Sequence, residues 1–276
     1  MPELLLQKAK ALRALHHTGK VLVLPNVWDA ASARIIEDAG FPALATTSAG
    51  IAFSLGYPDG QQISRQEMLA HVARIARTVK VPVTADAEAG YGDRPEDAAQ
   101  TAREVIAAGA VGMNFEDGTD DPEHPLIDLA LQLERIRAIR EAAATSGVPL
   151  VLNARTDVYL AQVGPPETRY DHVVRRLRAY RDAGADCVFV PGLRDSETIA
   201  RLVKDVQCPL NILAGPGSPS LIELEKLGVA RVSLGSAPMR ATLGLLRRVA
   251  DELKTAGTYH ALEGAPAHGD VNKMLG

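Results

Sequence analysis

The sequence predicts a (β/α)₈ barrel of the TIM type, with an α/β fold. Eight short apolar, β-rich segments occur along the 276 residues, and each is followed by a segment with a helical pattern. The segments begin in two alternating ways, with glycine before the even-numbered ones and proline near the start of most odd-numbered ones. Eight strand–helix units of this kind make a barrel of about 250 residues.

The eight predicted strands are 20–24, 42–47, 81–85, 111–115, 149–152, 186–190, 209–213 and 230–234. The glycines that precede the even-numbered strands can end the preceding helix in the left-handed conformation. They are Gly40, Gly109, Gly184 and Gly228. At the start of a strand, proline removes no ladder hydrogen bond. The prolines at the third, fifth and seventh strands are Pro82, Pro149 and Pro209.

Composition favours one domain, covering residues 1–276, with a helical C-terminal extension from about residue 240. Residues 1–20 have the pattern of an amphipathic helix, and no flexible linker or membrane-length apolar stretch interrupts the chain. The net charge is −4 and the basic residues are dispersed, which argues against nucleic acid as a partner. We expect a cytoplasmic protein without membrane contacts.

Acidic residues and one arginine follow three consecutive predicted strands. Asp86 and Glu88 follow the third strand, Glu116 the fourth and Arg155 the fifth. The carboxyl ends of barrel strands meet at one rim, where carboxylate oxygens suit a hard cation such as Mg²⁺ and arginine suits a carboxylate. Two simpler interpretations stay open: the acids could cap the following helices, and Arg155 could only neutralise Glu116 or Asp157.

Two other features of the rim are less specific. The turn Ser48-Ala49-Gly50 could offer backbone N–H groups to an anion or form an ordinary tight turn, and Asn211, in the seventh strand, is a candidate substrate-binding residue. The two cysteines, Cys187 and Cys208, have no metal-site spacing and are expected to be small buried residues.

A set of ordered motifs resembles the isocitrate lyase/phosphoenolpyruvate mutase superfamily over about residues 20–245. The motifs are PNVWDAASAR at 25–34, AGFPA at 39–43, TSAG at 47–50, LGYPD at 55–59, ADAEAGYG at 85–92, NFED at 114–117 and NARTD at 153–157. The resemblance implies a modified barrel, usually a homotetramer that swaps its last helix between subunits, that binds Mg²⁺ (with Mn²⁺ as an alternative) and small 2-oxo or 2-hydroxy acids.

The resemblance also implies roles for individual residues. Asp86 matches the direct metal ligand, and Glu88 stands at the place of a second aspartate of the metal site. Glu116 matches the glutamate that holds the metal through water, and Asp59 matches another acid near the metal. Ser48 with the Ala49 and Gly50 amides resembles a site for a substrate carboxylate. Arg155 resembles the residue that grips the oxo-acid head.

The chain departs from the lyase pattern at three places. Residues 117–128 read DGTDDPEHPLID and lack the Lys-(Lys/Arg)-Cys-Gly-His motif whose cysteine serves as an acid, and Pro191 ends the sixth strand where lyases carry glutamate and mutases histidine. The third departure is Glu88, which stands in place of an aspartate. The general acid is therefore unassigned; His124 and Tyr91 are candidates, and a solvated loop histidine is the simpler interpretation of His124.

The resemblance implies a Mg²⁺-dependent carbon–carbon lyase acting through a metal-stabilised enolate. Its substrate would be a small di- or tricarboxylate, cleaved as isocitrate or methylisocitrate is, or decarboxylated as oxaloacetate is. Two alternatives stay open: phosphoenolpyruvate mutase or phosphonopyruvate hydrolase chemistry, and a catalytically silent 2-oxo-acid binder. We expect a homo-oligomer, either a dimer or a tetramer.

Overall fold

The computed structural model describes residues 2–119 and 121–276, within which eleven α-helices alternate with nine strand segments. The helices are α1 Pro2–Leu15, α2 Ala30–Asp38, α3 Ser48–Ser54, α4 Arg65–Thr78, α5 Pro95–Ala107, α6 Leu129–Ser146, α7 Pro166–Asp182, α8 Ser196–Val206, α9 Leu221–Lys226, α10 Ala237–Thr255 and α11 His268–Leu275. The strands are β1 Leu22–Leu24, β2 Asn26–Val27, β3 Leu44–Thr46, β4 Val83–Asp86, β5 Gly112–Glu116, β6 Val151–Arg155, β7 Cys187–Val190, β8 Leu210–Leu213 and β9 Arg231–Ser233.

All neighbouring strands pair in parallel, in the order β1-β9-β8-β7-β6-β5-β4-β3-β2. The segments β1 and β2 are one barrel strand interrupted at Pro25, which has no N–H to donate. Leu22–Leu24 pairs with β9 on one side, and Asn26–Val27 pairs with β3 on the other. The predicted (β/α)₈ barrel is therefore confirmed, while the exchange of its last helix between subunits stays a prediction.

The turns that enter the strands have the predicted backbone. Gly40, Gly109, Gly184 and Gly228 all have positive φ, at 87°, 91°, 111° and 84°. At Gly184 a side chain would also be excluded by packing, because an added Cβ would lie 2.9 Å from Cγ of Arg140.

Three strands run further than the apolar pattern predicts, because their ladders continue into polar residues. Asp86, Glu116 and Arg155 are the last residues of β4, β5 and β6 instead of lying in the loops after them. Glu116 and Arg155 are direct partners in the ladder. The side chains of these residues are therefore positioned by the sheet.

The apolar core lies between the sheet and the surrounding helices, while the inside of the barrel is polar. Asn153 donates from Nδ2 to Oδ1 of Asn114 at 3.0 Å, and Asn211 donates to Oγ of Ser233 at 3.2 Å. All four residues are buried. Apolar residues usually fill such a barrel, so the polar interior leaves hydrogen-bonding groups beneath the rim.

Both ends of the chain pack on the barrel. Helix α1 lies near the sheet, since an added Cβ at Gly112 would meet Cδ2 of Leu12 at 2.9 Å. Helix α11 contacts α2, where Nε of Arg34 donates to the carbonyl of Met274 at 3.1 Å. Among the described residues, no helix combines the length and apolar character needed to span a bilayer.

Candidate active site

A cavity of about 210 Å³ opens at the carboxyl ends of the strands. Its walls come from nearly every strand and from the loops that follow them. The lining residues on which the argument depends are Ser48, Ala49, Asp59, Asp86, Arg155, Asn211 and Arg231. The cavity thus brings together predicted site residues that are far apart in the sequence.

Asp86 is fixed by three donors at the rim. Its Oδ2 accepts from the backbone N–H of Ser48 at 3.0 Å and from the Ser48 hydroxyl at 2.8 Å, and its Oδ1 accepts from Nδ2 of Asn114 at 2.8 Å. These bonds come from two elements, α3 and β5. They orient the carboxylate, so that its remaining lone pairs are available to a cation.

The Ser48-Ala49-Gly50 segment begins helix α3 and is only partly available to a ligand. Thr47 caps the helix, and its Oγ1 accepts from the Gly50 N–H at 3.2 Å. The Ser48 N–H is directed to Asp86, whereas Ala49 lines the cavity. Of the three predicted anion donors, two therefore already have partners in the protein.

Asp59 lines the cavity together with Asp86. Burial raises the pKa of Asp59, and the negative charge of Asp86 raises it further. Two acids that face one small cavity repel each other unless a proton or a cation lies between them. This repulsion favours binding of a positively charged group.

The Glu88 carboxylate is held by two hydrogen bonds. The Glu88 backbone has a φ of 49°, and the carboxylate accepts from the Tyr91 hydroxyl at 2.8 Å and from the Gln61 N–H at 2.5 Å. Burial raises the pKa of Glu88 to about 7, against the effect of the Tyr91 hydrogen bond. Neither Glu88 nor Tyr91 lines the cavity in this chain.

The loop that carries Glu88 is held by Arg135, a residue that the sequence did not single out. Its buried guanidinium donates to the carbonyls of Ala89 and Gly92, the second at 2.7 Å, and lies 4.9 Å from the Phe115 ring centroid. Gly90 allows this close packing, because an added Cβ would lie 2.7 Å from the same ring. The loop is therefore rigidly positioned.

Arg155 forms a bridge between two acids. Its Nη1 lies 2.6 Å from Oε2 of Glu116, and its Nε and Nη2 donate to both oxygens of Asp157 at 2.6 and 2.8 Å. Although burial opposes the charge, the two carboxylates raise the pKa of Arg155. Arg155 lines the cavity as predicted, and it also neutralises both neighbours, as the simpler interpretation held.

A buried network behind Arg155 fixes the end of β6. Asp117, which is fully buried, accepts from the Asp157 N–H at 2.9 Å, from the Thr156 hydroxyl at 2.7 Å, from Nη1 of Arg176 at 2.9 Å and from the Tyr180 hydroxyl at 2.5 Å. Sequence reasoning placed Asp117 in the NFED motif but gave it no partner. Two partners follow β6, about 40 residues later, and two lie in α7, about 60 residues later, so no local sequence pattern indicates them.

The remaining predicted residues lie at opposite extremes of exposure. The His124 side chain is 80% exposed and pairs with Asp121 at 3.0 Å. Asn211 is fully buried and lines the cavity.

Cys187 and Cys208 are unpaired thiols, and burial raises the pKa of Cys208 to about 12, so neither cysteine has the features of a reactive thiolate.

The three proposed metal ligands lie close enough for the charge of Asp86 to act on both Glu88 and Glu116, and their role as ligands stays a prediction. Within residues 2–119 and 121–276, no group of three His, Cys, Asp or Glu side chains is arranged to hold a metal ion. Glu88 is bonded to Tyr91 and Glu116 to Arg155, which leaves Asp86 facing the cavity. Mg²⁺ commonly uses one or two carboxylates and fills its other positions with water and substrate oxygens, so Asp86 fits such a cation.

Comparison with known proteins agrees with this geometry. The family profile described as phosphoenolpyruvate phosphomutase matches residues 12–254. The chain belongs to this family. The resemblance of the sequence motifs to the superfamily is thereby confirmed, and so is the prediction of a superfamily enzyme.

Three relatives connect the chain to named activities. An oxaloacetate decarboxylase from Rhodopseudomonas palustris (strain TIE-1) is 29% identical, over 92% of this chain and 88% of its own. The structure of an oxaloacetate acetylhydrolase with its product oxalate superposes with a TM-score of 0.85 at 29% identity, over 98% and 94% of the two chains. A phosphonopyruvate hydrolase with oxalate and Mg²⁺ superposes with a TM-score of 0.84 at 25% identity, over 97% and 94%.

Proposed function

We propose that the protein is a carbon–carbon lyase that requires a divalent cation and acts on a small 2-oxo dicarboxylate, with oxaloacetate as the best candidate. The observation that carries this proposal is that the Asp86 carboxylate and the Arg155 guanidinium line the same cavity. The activities named for two relatives, both on oxaloacetate, support the choice of substrate. Cleavage of isocitrate-type acids belongs to the same chemistry.

Each side chain has a defined task in the proposed reaction. Asp86 would hold Mg²⁺, or Mn²⁺, with water and substrate oxygens completing the coordination. When bound, the cation would supply Lewis acidity toward the 2-oxo and carboxylate oxygens, where negative charge develops. Arg155 would bind the oxo-acid head through charge-assisted hydrogen bonds, held in place by Asp157.

The proton that the carbon centre receives after cleavage needs a donor. The two general-acid candidates of the sequence, Tyr91 and His124, do not line the cavity, whereas Arg155 and Asp59, which we also consider for catalysis, do. Arginine keeps its proton in proteins. Asp59 is therefore the favoured donor, and its raised pKa keeps more of it protonated than an ordinary aspartate.

A second candidate function is phosphonate chemistry, as in phosphoenolpyruvate mutase or phosphonopyruvate hydrolase. The description of the matching family and one structural relative favour it. Negative charge on the phosphoryl group must be stabilised in the transition state of its transfer, so the site needs several positive charges. The loop that follows Glu116 carries the acids Asp117, Asp121 and Glu123 instead of basic residues, so phosphonate chemistry is the weaker hypothesis.

The test is calorimetric titration with oxaloacetate, pyruvate, glyoxylate, 2-oxoglutarate and phosphonopyruvate, each with Mg²⁺ and with EDTA. Turnover of oxaloacetate is followed by NMR, which detects both pyruvate from decarboxylation and oxalate with acetate from hydrolytic cleavage; a sample with Mg²⁺ and no enzyme measures the spontaneous reaction. Mg²⁺-dependent turnover of oxaloacetate is the expected result. Turnover of phosphonopyruvate alone would select the second function, and binding without any turnover would select a silent binder.

We also propose that the protein forms a homo-oligomer through α10. Four leucines of this helix are substantially exposed in the single chain: Leu243, Leu245, Leu246 and Leu253. An apolar face of this kind is typical of a subunit contact. Light scattering coupled to gel filtration should give a dimer or a tetramer, and a monomer at micromolar concentration would contradict the proposal.

A further inference from the structure

Arg231 is a buried cation inside the barrel to which the proposed reaction assigns no role. It lies on β9 two residues before Ser233, so both side chains point to the same face of the sheet. Ser233 bonds Asn211 inside the barrel, and Arg231 lines the same cavity from a position roughly 6–7 Å deeper along the strand. Only 2% of Arg231 is exposed.

The guanidinium of Arg231 lacks the partners that other buried arginines have. In the described part of the chain, its Nε and Nη1 have no hydrogen-bond acceptor. By contrast, Arg176 pairs with Asp117, and Arg140 pairs with Asp186. A buried charge without a partner is strongly destabilising. Its retention here points to an anion that completes the site.

The surroundings of Arg231 favour a polar ligand. Oγ1 of Thr84 and Oδ1 of Asn153 are also buried without partners among the described residues, and both side chains line the cavity. Asp86 lies near Arg231 but accepts no hydrogen bond from its Nε or Nη1 in the described part of the chain. The cavity of about 210 Å³ corresponds to about seven water molecules at roughly 30 Å³ each, which suits a small organic acid.

We propose that Arg231 binds the second carboxylate of a dicarboxylate substrate, deep in the barrel, while Asp86 and Arg155 act on the oxo-acid end nearer the mouth. This inference rests on the proposed function, because it identifies the substrate class of that same cavity. It makes Arg231 the residue that selects dicarboxylates over monocarboxylates. A planar guanidinium binds a carboxylate through two hydrogen bonds, which gives this selection its geometry.

The experiment compares malate with lactate, two 2-hydroxy acids that differ by one carboxylate. Calorimetry with Mg²⁺ should show that the wild type prefers malate by roughly 10- to 100-fold, the effect of one charge-assisted bond pair. In Arg231→Met this preference should disappear, with lactate affinity changed by less than about threefold. Arg231→Lys, which keeps the positive charge, should retain part of the preference for malate.

A matched control separates this role from a structural one. Arg140→Met removes a partly buried arginine that pairs with Asp186 away from the cavity, and should lower stability without changing the preference for malate. Arg231→Met without ligand should unfold at the same urea concentration as the wild type or a higher one, because an unpaired buried charge is replaced by an apolar chain. A large loss of stability in Arg231→Met would identify a structural arginine and overturn the proposal.

Three further outcomes would also overturn it. The first is an equal loss of malate and lactate affinity in Arg231→Met, and the second is a wild type with no preference for malate. The third is that Arg231→Met abolishes sulfate binding but leaves the preference for malate unchanged. Failure of the proposed function looks different: the wild type would turn over none of the substrates, yet would still prefer malate in a manner that depends on Arg231.

Discussion

Replacement of Asp117 by Asn tests whether the buried network behind Arg155 stabilises the site. The change keeps the shape of the side chain but removes its charge, and Arg176, which is 5% exposed, then has no carboxylate partner. Breaking a buried ion pair by removing one partner costs about 3–5 kcal/mol. Because folded domains are stable by about 5–15 kcal/mol, this loss is a large fraction of the total.

The assay is urea unfolding, followed by circular dichroism at fixed protein concentration. The matched control is Asp182→Asn, which breaks a surface pair with Arg181 in which the aspartate side chain is 66% exposed. That control should lose less than about 1 kcal/mol. In the double variant Asp117→Asn/Arg176→Met, stability should partly recover, because neither buried charge is left alone.

The substitution should also weaken oxo-acid binding, since Asp117 accepts from the backbone of Asp157, which in turn positions Arg155. A loss below about 1 kcal/mol in Asp117→Asn, equal to the surface control, would refute the reasoning. It would mean that water or a neighbouring group replaces the carboxylate, and that the network does not position the arginine.

Three more outcomes are expected. Asp86→Ala should abolish the Mg²⁺-dependent part of oxo-acid binding in calorimetry; an unchanged affinity would remove Asp86 from the site. Arg155→Ala should weaken oxo-acid binding by about 2–5 kcal/mol, and a loss confined to stability would indicate that Arg155 only neutralises its neighbours. Burial lowers the pKa of His16 from 6.5 to about 3, so the unfolded chain binds the extra proton and stability falls as the pH drops from about 6.5 toward 3. Between pH 7 and pH 4, the free energy of unfolding measured in urea should fall by about 3 kcal/mol less in His16→Leu than in the wild type. An equal fall in both proteins would contradict the assignment.

Much of the barrel could be predicted from local signals. Strand positions follow from short apolar segments bounded by glycine and proline, because these residues restrict the backbone wherever they occur. Parallel strands of a barrel end at one rim, so the convergence of Asp86 and Arg155 on one cavity followed from their places at strand ends. The ordered motifs then identified the family.

The direction of each side chain was decided only by the tertiary structure. Glu88 belongs to the same motif as Asp86, yet a backbone φ of 49° directs it to Tyr91 and Gln61. Glu116 pairs with Arg155 because β5 and β6 are in register there, which no local pattern specifies.

Arg231 is the clearest example of a side chain whose direction the sequence does not specify. The sequence places it within an ordinary apolar strand, where a lone arginine gives no sign of which face it occupies. Only closure of the sheet turns that face into the interior of the barrel, where the guanidinium is buried against the cavity without a partner. Sequence therefore determined the fold and the rim at which the site lies, whereas long-range packing decided which charges are paired and which are free to bind a ligand.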